Sequence, residues 1–65
     1  MKLQCTTKTG TFYGTKCRSF ISAITNEEMI ELNIFLLNDR KEWFWSRQFT
    51  TIKASQCKEI SQFPN

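Results

Sequence analysis

Two apolar runs separated by a polar break constrain this chain more than any other feature. In the first, Ile30, Leu32, Ile34 and Leu36 alternate with Glu31, Asn33, Phe35 and Leu37. Asn38-Asp39-Arg40-Lys41 follows, and then Glu42-Trp43-Phe44-Trp45-Ser46-Arg47-Gln48-Phe49. This second run holds both tryptophans and four of the nine aromatic residues. Strict alternation of this kind is the signature of a half-buried strand. Folding the first run back on the second around 38–41 pairs Leu36 with Trp43, Ile34 with Trp45, Leu32 with Arg47 and Ile30 with Phe49. The other face then pairs Phe35 with Phe44, Asn33 with Ser46 and Glu31 with Gln48. One register thus sorts both strands into an apolar and a mostly polar face, which is how a sheet specifies its pairing.

A competing reading makes residues 26–38 a helix, giving an α+β chain. Thr25 then caps, Glu28 completes a capping box, and Arg40 and Lys41 lie beyond the C-terminal end, as the helix dipole prefers. The helix accounts for one segment and the hairpin for two, so the hairpin is the primary expectation. It has one internal conflict. It puts Arg47 on the core face, where a guanidinium needs a barrel rim or a carboxylate such as Glu28.

The rest of the chain reads as β with a short closure. Residues 2–24 are rich in Thr, Phe, Tyr and Ile, with a turn at Lys8-Thr9-Gly10 and a candidate bulge at Gly14. The run from Thr11 to Ile24 is long enough to bend and serve two sheets. Ala54, Cys57, Ile60 and Phe63 recur every third residue, which fits a short 3₁₀ or α-helical closure; a fifth short strand at 52–54 is the other option. The expected fold is mostly β: a small SH3-like or Sm-like barrel of four to five short antiparallel strands with a C-terminal helical turn. Residues 1–62 form its single domain, and 63–65 a frayed tail. Gly10-Thr11-Phe12-Tyr13-Gly14 resembles the Gly-aromatic strand of Sm-type barrels. Its glycine spacing differs and the later Asn signature is missing, so neither a family nor any site residue follows from it.

A domain of 65 residues buries roughly 60% of its unfolded surface, so disulfides, a metal or self-association usually assist it. Cys5, Cys17 and Cys57 are an odd, sparse set, and Met1-Lys2-Leu3-Gln4-Cys5-Thr6 lacks a signal-peptide apolar core. The expectation is a cytoplasmic protein with reduced thiols that pack as small hydrophobes. The lesser alternatives are a Cys5–Cys17 bridge and a secreted, disulfide-stapled domain. Without histidine or a C-x-x-C pair, no closed zinc site is expected. No metal or other cofactor is expected, which leaves possible homo-oligomerisation as the helper. No run approaches the ~20 apolar residues that span a bilayer, so no membrane association is expected.

The net charge of +3 is unevenly spread. Residues 1–24 carry four basic side chains and no acid, residues 25–42 are net acidic, and 43–65 are net basic again. With no histidine to activate a nucleophile and no glycine-rich phosphate loop, the chain is not expected to be an enzyme. Binding is left. Basic and aromatic residues interleave at Phe12, Tyr13, Lys16, Arg18 and Phe20, a composition suited to single-stranded nucleic acid. The nucleic-acid candidates are Lys8, Tyr13, Lys16, Arg18 and Arg47. The alternative is a small modulator or inhibitor of a larger host protein, of the phage or mobile-element kind, acting through an apolar sheet face of Phe35, Leu37 and Phe44.

Overall fold

Local hydroxyl chemistry makes the first hairpin, between β1 (Lys2–Thr7) and β2 (Gly10–Ile21). The Thr7 hydroxyl accepts from the Thr9 N–H at 3.2 Å and donates to the Gly10 carbonyl at 3.1 Å. Gly10 leaves the turn at φ 141°, in the region that favours glycine. The computed structural model describes residues 1–64. It continues with β3 (Glu28–Leu37), β4 (Trp43–Lys53), a 3₁₀ turn (Ala54–Gln56) and β5 (Cys57–Ile60). All pairings are antiparallel, and the strand order is β4-β3-β2-β1-β5.

Residues 26–38 are therefore not a helix. The competition is settled at the preceding loop, where Ser22 rather than Thr25 caps the backbone. Its hydroxyl accepts from the Ile24 and Thr25 N–H groups, and its own N–H bonds the Glu27 carbonyl at 2.9 Å. The chain then enters β3 fully extended and pairs on both sides, with β2 and β4.

The β3–β4 hairpin forms, but not in the expected register. The Asn38 side-chain carbonyl accepts from the N–H groups of Arg40 (2.9 Å) and Glu42 (2.8 Å), which draws Glu42 into the loop. Leu37 then faces Trp43, Leu36 faces Phe44, and Phe35 faces Trp45. A one-residue slip sends every side chain to the other face of the sheet. Trp43, Trp45 and Phe49 accordingly share a face with Phe35 and Leu37, while Phe44 joins Leu36 on the opposite face. A bulge after Trp45 leaves Ser46 and Arg47 without partners, and pairing resumes at Ile34 with Gln48. Arg47, at φ 66°, lies exposed at this bulge; the conflict over a buried guanidinium disappears with the register.

The core lies on the face of Ile30 and Leu32. It consists of Leu3, Cys5, Ile30, Leu32 and Ile52, with Phe12, Ala54 and Cys57 packed against it. Ile52, opposite Ile30, takes the place expected of Phe49. In a flat sheet β1 and β4 would lie about 14 Å apart. Their shared core, and a 3₁₀ turn lying against both β1 and β3, require the sheet to curl. β4 and β5 remain its two edges, so the observed architecture is a curled five-stranded sheet rather than a closed barrel. The expected 3₁₀ closure is present at Ala54–Gln56. Cys57 and Ile60 belong instead to a fifth strand, which falls at 57–60 and not at 52–54.

Cys5 and Cys57 face each other across β1 and β5, with Cα atoms 4.0 Å apart, and form a disulfide; Cys17 is free and exposed. This corrects both the expectation of three reduced thiols and the Cys5–Cys17 alternative. The cause is tertiary: strand addition of β5 to β1 brings together residues 52 apart in sequence.

Beyond β5 the chain turns back over the sheet face opposite the core. Phe63 packs on Phe35 and Trp43 at ring-centroid distances of 5.3 and 5.0 Å. Of the tail expected at 63–65, Phe63 and Pro64 lie in these contacts, and Asn65 lies outside the described residues.

An aromatic groove on the outer sheet face

Pairing places Tyr13, Phe35 and Trp45 in one row across the outer face, and Thr15, Asn33 and Phe49 in the next. The row beyond holds Arg18, Glu31 and Thr51, and the last Phe20, Met29 and Lys53. An open groove of about 430 Å³ runs between the first two rows, lined by Thr15, Cys17, Asn33, Phe35, Trp45 and Phe49. Its surface is mostly apolar, and the Asn33 amide donates to the Thr15 hydroxyl within it at 3.1 Å. Its rim is aromatic, with Trp45 and Phe49 edge-to-face at 5.8 Å. These rings are 44% and 53% exposed. Such exposure removes them from the core and leaves part of each side chain accessible at the surface.

Arg18 and Arg47 are neighbours, along their strands, of residues that line the groove. Arg18 ion-pairs with Glu31 at 3.6 Å and lies over the Phe20 ring at 5.6 Å, with two-thirds of its side chain exposed. Arg47 projects from the bulge between Trp45 and Phe49. That bulge is pinned by the Ser46 hydroxyl, which donates to the Ile34 carbonyl at 2.7 Å and accepts from the Gln48 N–H. The Glu31 carboxylate, drawing the proton of Cys17, pushes that thiol above its ordinary range, with a smaller contribution from desolvation. Cys17 is therefore a weak nucleophile at neutral pH.

The residues expected to bind nucleic acid are not brought together as a set. Arg18 stands one row beyond the groove and Arg47 is exposed in the β4 bulge; neither lines it. Tyr13 shares its face but packs edge-on against Trp43 at 5.3 Å and is half-buried. Lys16, paired with Leu32, projects from the core face of the sheet beyond the core, and Lys8 lies in the first turn. Of the apolar trio, Phe35 and Leu37 share the outer face and Phe44 lies on the other. Sequence reasoning missed Trp45, Phe49, Thr15 and Asn33 as groove residues because the assumed register buried the two rings. The available signal was Arg47: moving it off the core also moves Trp45 and Phe49 outward.

Among the described residues, no helix is long and apolar enough to cross a membrane, and no cluster of three or more metal-binding side chains occurs. No family model, curated protein or solved structure matches this chain.

Proposed function

We propose that this chain is a small non-catalytic binding module that engages single-stranded nucleic acid along its outer sheet face. The observation that carries this reading is the groove, in which half-exposed Trp45 and Phe49 adjoin the Thr15–Asn33 pair, with Arg18 one row beyond and Arg47 exposed in the strand between the two rings. Exposed rings accept bases by stacking, and neighbouring guanidiniums take the phosphates. Lys2 and Lys58 lie on the same face and add positive charge to it, while Lys53, also there, ion-pairs with Glu27. Lys8, Lys16 and Tyr13 have no contact role at the groove on this reading. In its finer form the fold is SH3-like: four meandering strands, a 3₁₀ turn and a fifth strand on β1 support that assignment.

The test is fluorescence anisotropy with labelled single-stranded DNA, RNA and duplex, at low and then physiological salt. Single strands should bind best, with affinity that falls as salt rises. Trp45→Ala and Phe49→Ala should each cost about 1–3 kcal/mol. Absence of binding at low salt, or equal binding by the Trp45→Ala chain, would sink the reading.

A second reading has its own observation. At the hairpin tip Leu36 and Phe44 are 49% and 44% exposed on one face, and Leu37 is exposed on the other. They adjoin the unpaired edge of β4. Exposed apolar patches and free strand edges mark protein contacts and self-association. Phe44→Asp should then alter the oligomeric state, measured by sedimentation, while leaving the thermal transition in place. On compartment, the Cys5–Cys57 bond supports an oxidising environment over the cytoplasm.

A further inference from the structure

The segment after β5 is held differently from the other connections. The 22–27 and 38–42 loops are closed by hydrogen bonds among their own residues, backbone and side chain. Phe63 and Pro64 are instead held by side chains of the sheet. Phe63 lies between Phe35 and Trp43, at 5.3 and 5.0 Å, and the Lys2 ammonium sits over its ring at 5.5 Å. Tyr13 buttresses Trp43 edge-on. The Trp43 indole N–H donates to the Pro64 carbonyl at 2.8 Å.

These contacts have the chemistry of peptide recognition. A proline disfavours the helical conformation of the residue before it and presents its own carbonyl at little entropic cost, and aromatic-lined grooves exploit both properties. An indole N–H can only donate, so the site calls for an acceptor, which here is the Pro64 backbone carbonyl. The cradle's aromatic members come from β2, β3 and β4, and it is therefore complete without the tail. We propose that Tyr13, Phe35 and Trp43 form a binding site for an extended peptide carrying an aromatic residue followed by proline, occupied here in cis by Phe63–Pro64. The site is separate from the groove, though Phe35 borders both, and does not depend on the nucleic-acid reading.

The experiment uses the full chain and a labelled Ser-Gln-Phe-Pro-Asn peptide, read by anisotropy. Wild type and Phe63→Ala are compared, because a cradle occupied in cis lowers the apparent affinity by the fraction of chains that are open. Phe63→Ala should bind the peptide at least about tenfold more tightly than wild type if the tail occupies the cradle nine-tenths of the time or more. Adding Trp43→Phe, which keeps a ring and removes the donor, should weaken that binding about threefold to tenfold. A peptide with alanine in place of its phenylalanine should not bind. Equal binding by wild type and Phe63→Ala, or none by a folded Phe63→Ala chain, overturns the proposal. So does loss of the cooperative thermal transition in Phe63→Ala, which would make Phe63 part of the core. A concentration-dependent dimer that the peptide fails to dissociate would assign the cradle to a second copy and likewise overturn it.

Discussion

At the scale of single residues, Gly14 is the least replaceable position. It pairs with Leu3 on one side and Ile34 on the other, and the Leu32 side chain lies over it. A Cβ at Gly14 would overlap the Asn33 carbonyl oxygen, a backbone atom that cannot swing aside. Gly14→Ala must therefore separate β2 from β3, and should cost about 3 kcal/mol or more in thermal or denaturant unfolding. The bulge expected at Gly14 falls instead between Lys16 and Arg18, which leaves Cys17 exposed beside Glu31. With its pKa raised, the thiol is more fully protonated than a free thiol near pH 8.5. Cys17 should alkylate more slowly there than a cysteine peptide, and faster as pH rises through its raised pKa. Glu31→Gln removes the principal cause and should speed the reaction at fixed pH. An unchanged rate would show that Glu31 does not govern the thiol.

Among the elements, the β3–β4 hairpin has the most consequence for function, because its register decides which rings the molecule exposes. Two local devices set it. Asn38 closes a five-residue loop, and the Ser46–Arg47 bulge resets the pairing. Arg47 keeps a left-handed conformation that costs a non-glycine residue roughly 1–2 kcal/mol. Arg47→Gly should therefore leave stability unchanged or raise it by up to about 1 kcal/mol, net of the added freedom of the unfolded chain. The same variant should lower oligonucleotide affinity. This pairing separates a contact role from a structural one, because a merely structural Arg47 would leave affinity unmoved. The hairpin itself was legible from the alternation of residues 30–36 and the aromatic run. The register was not, because apolar residues stand on both faces near the turn and either sorting looks favourable from pattern alone. Asn38's hydrogen bonds to Arg40 and Glu42 broke that tie.

As a whole the molecule is thinly packed for its mass. Its accessible surface is 4909 Å², against roughly 4,300 Å² for a compact chain of this mass. Its radius of gyration is 12.0 Å, against roughly 10.7 Å. Five residues make up the buried core, and one of them, Cys5, is bonded to Cys57. That bond closes nearly the whole chain, and chain-entropy arguments assign it up to about 4 kcal/mol. Reduction should accordingly lower the thermal midpoint by roughly 10–30 °C if it removes 2–4 kcal/mol. A midpoint indifferent to reductant would show that the curled sheet stands without the bond and would withdraw its support for an oxidising compartment. The two exposed ion pairs, Arg18–Glu31 and Lys53–Glu27, add at most about 1 kcal/mol each and do not replace it.

The sequence by itself determined the class of fold and most of its punctuation. The β-rich composition, the Lys8-Thr9-Gly10 turn, the 38–41 break and a short 3₁₀ turn beginning at Ala54 all act over a few residues, where propensity and turn chemistry decide; the strand at Cys57–Ile60 was not legible in the period-three spacing. Arg18 was legible as an exposed cation of β2, whereas the expected register placed Arg47 on the core face and only the bulge put it at the surface. Only the tertiary structure decided which face Trp45 and Phe49 occupy, that Cys5 finds Cys57, and that Phe63 returns to Trp43. The last two depend on contacts between distant segments, and the first on side-chain hydrogen bonds of Asn38 and Ser46 that a pattern of apolar and polar residues does not reveal. In a period-two element a shift of one residue exchanges inside and outside, so the register that the folded hairpin selects, rather than strand propensity, determines which aromatic rings this protein exposes.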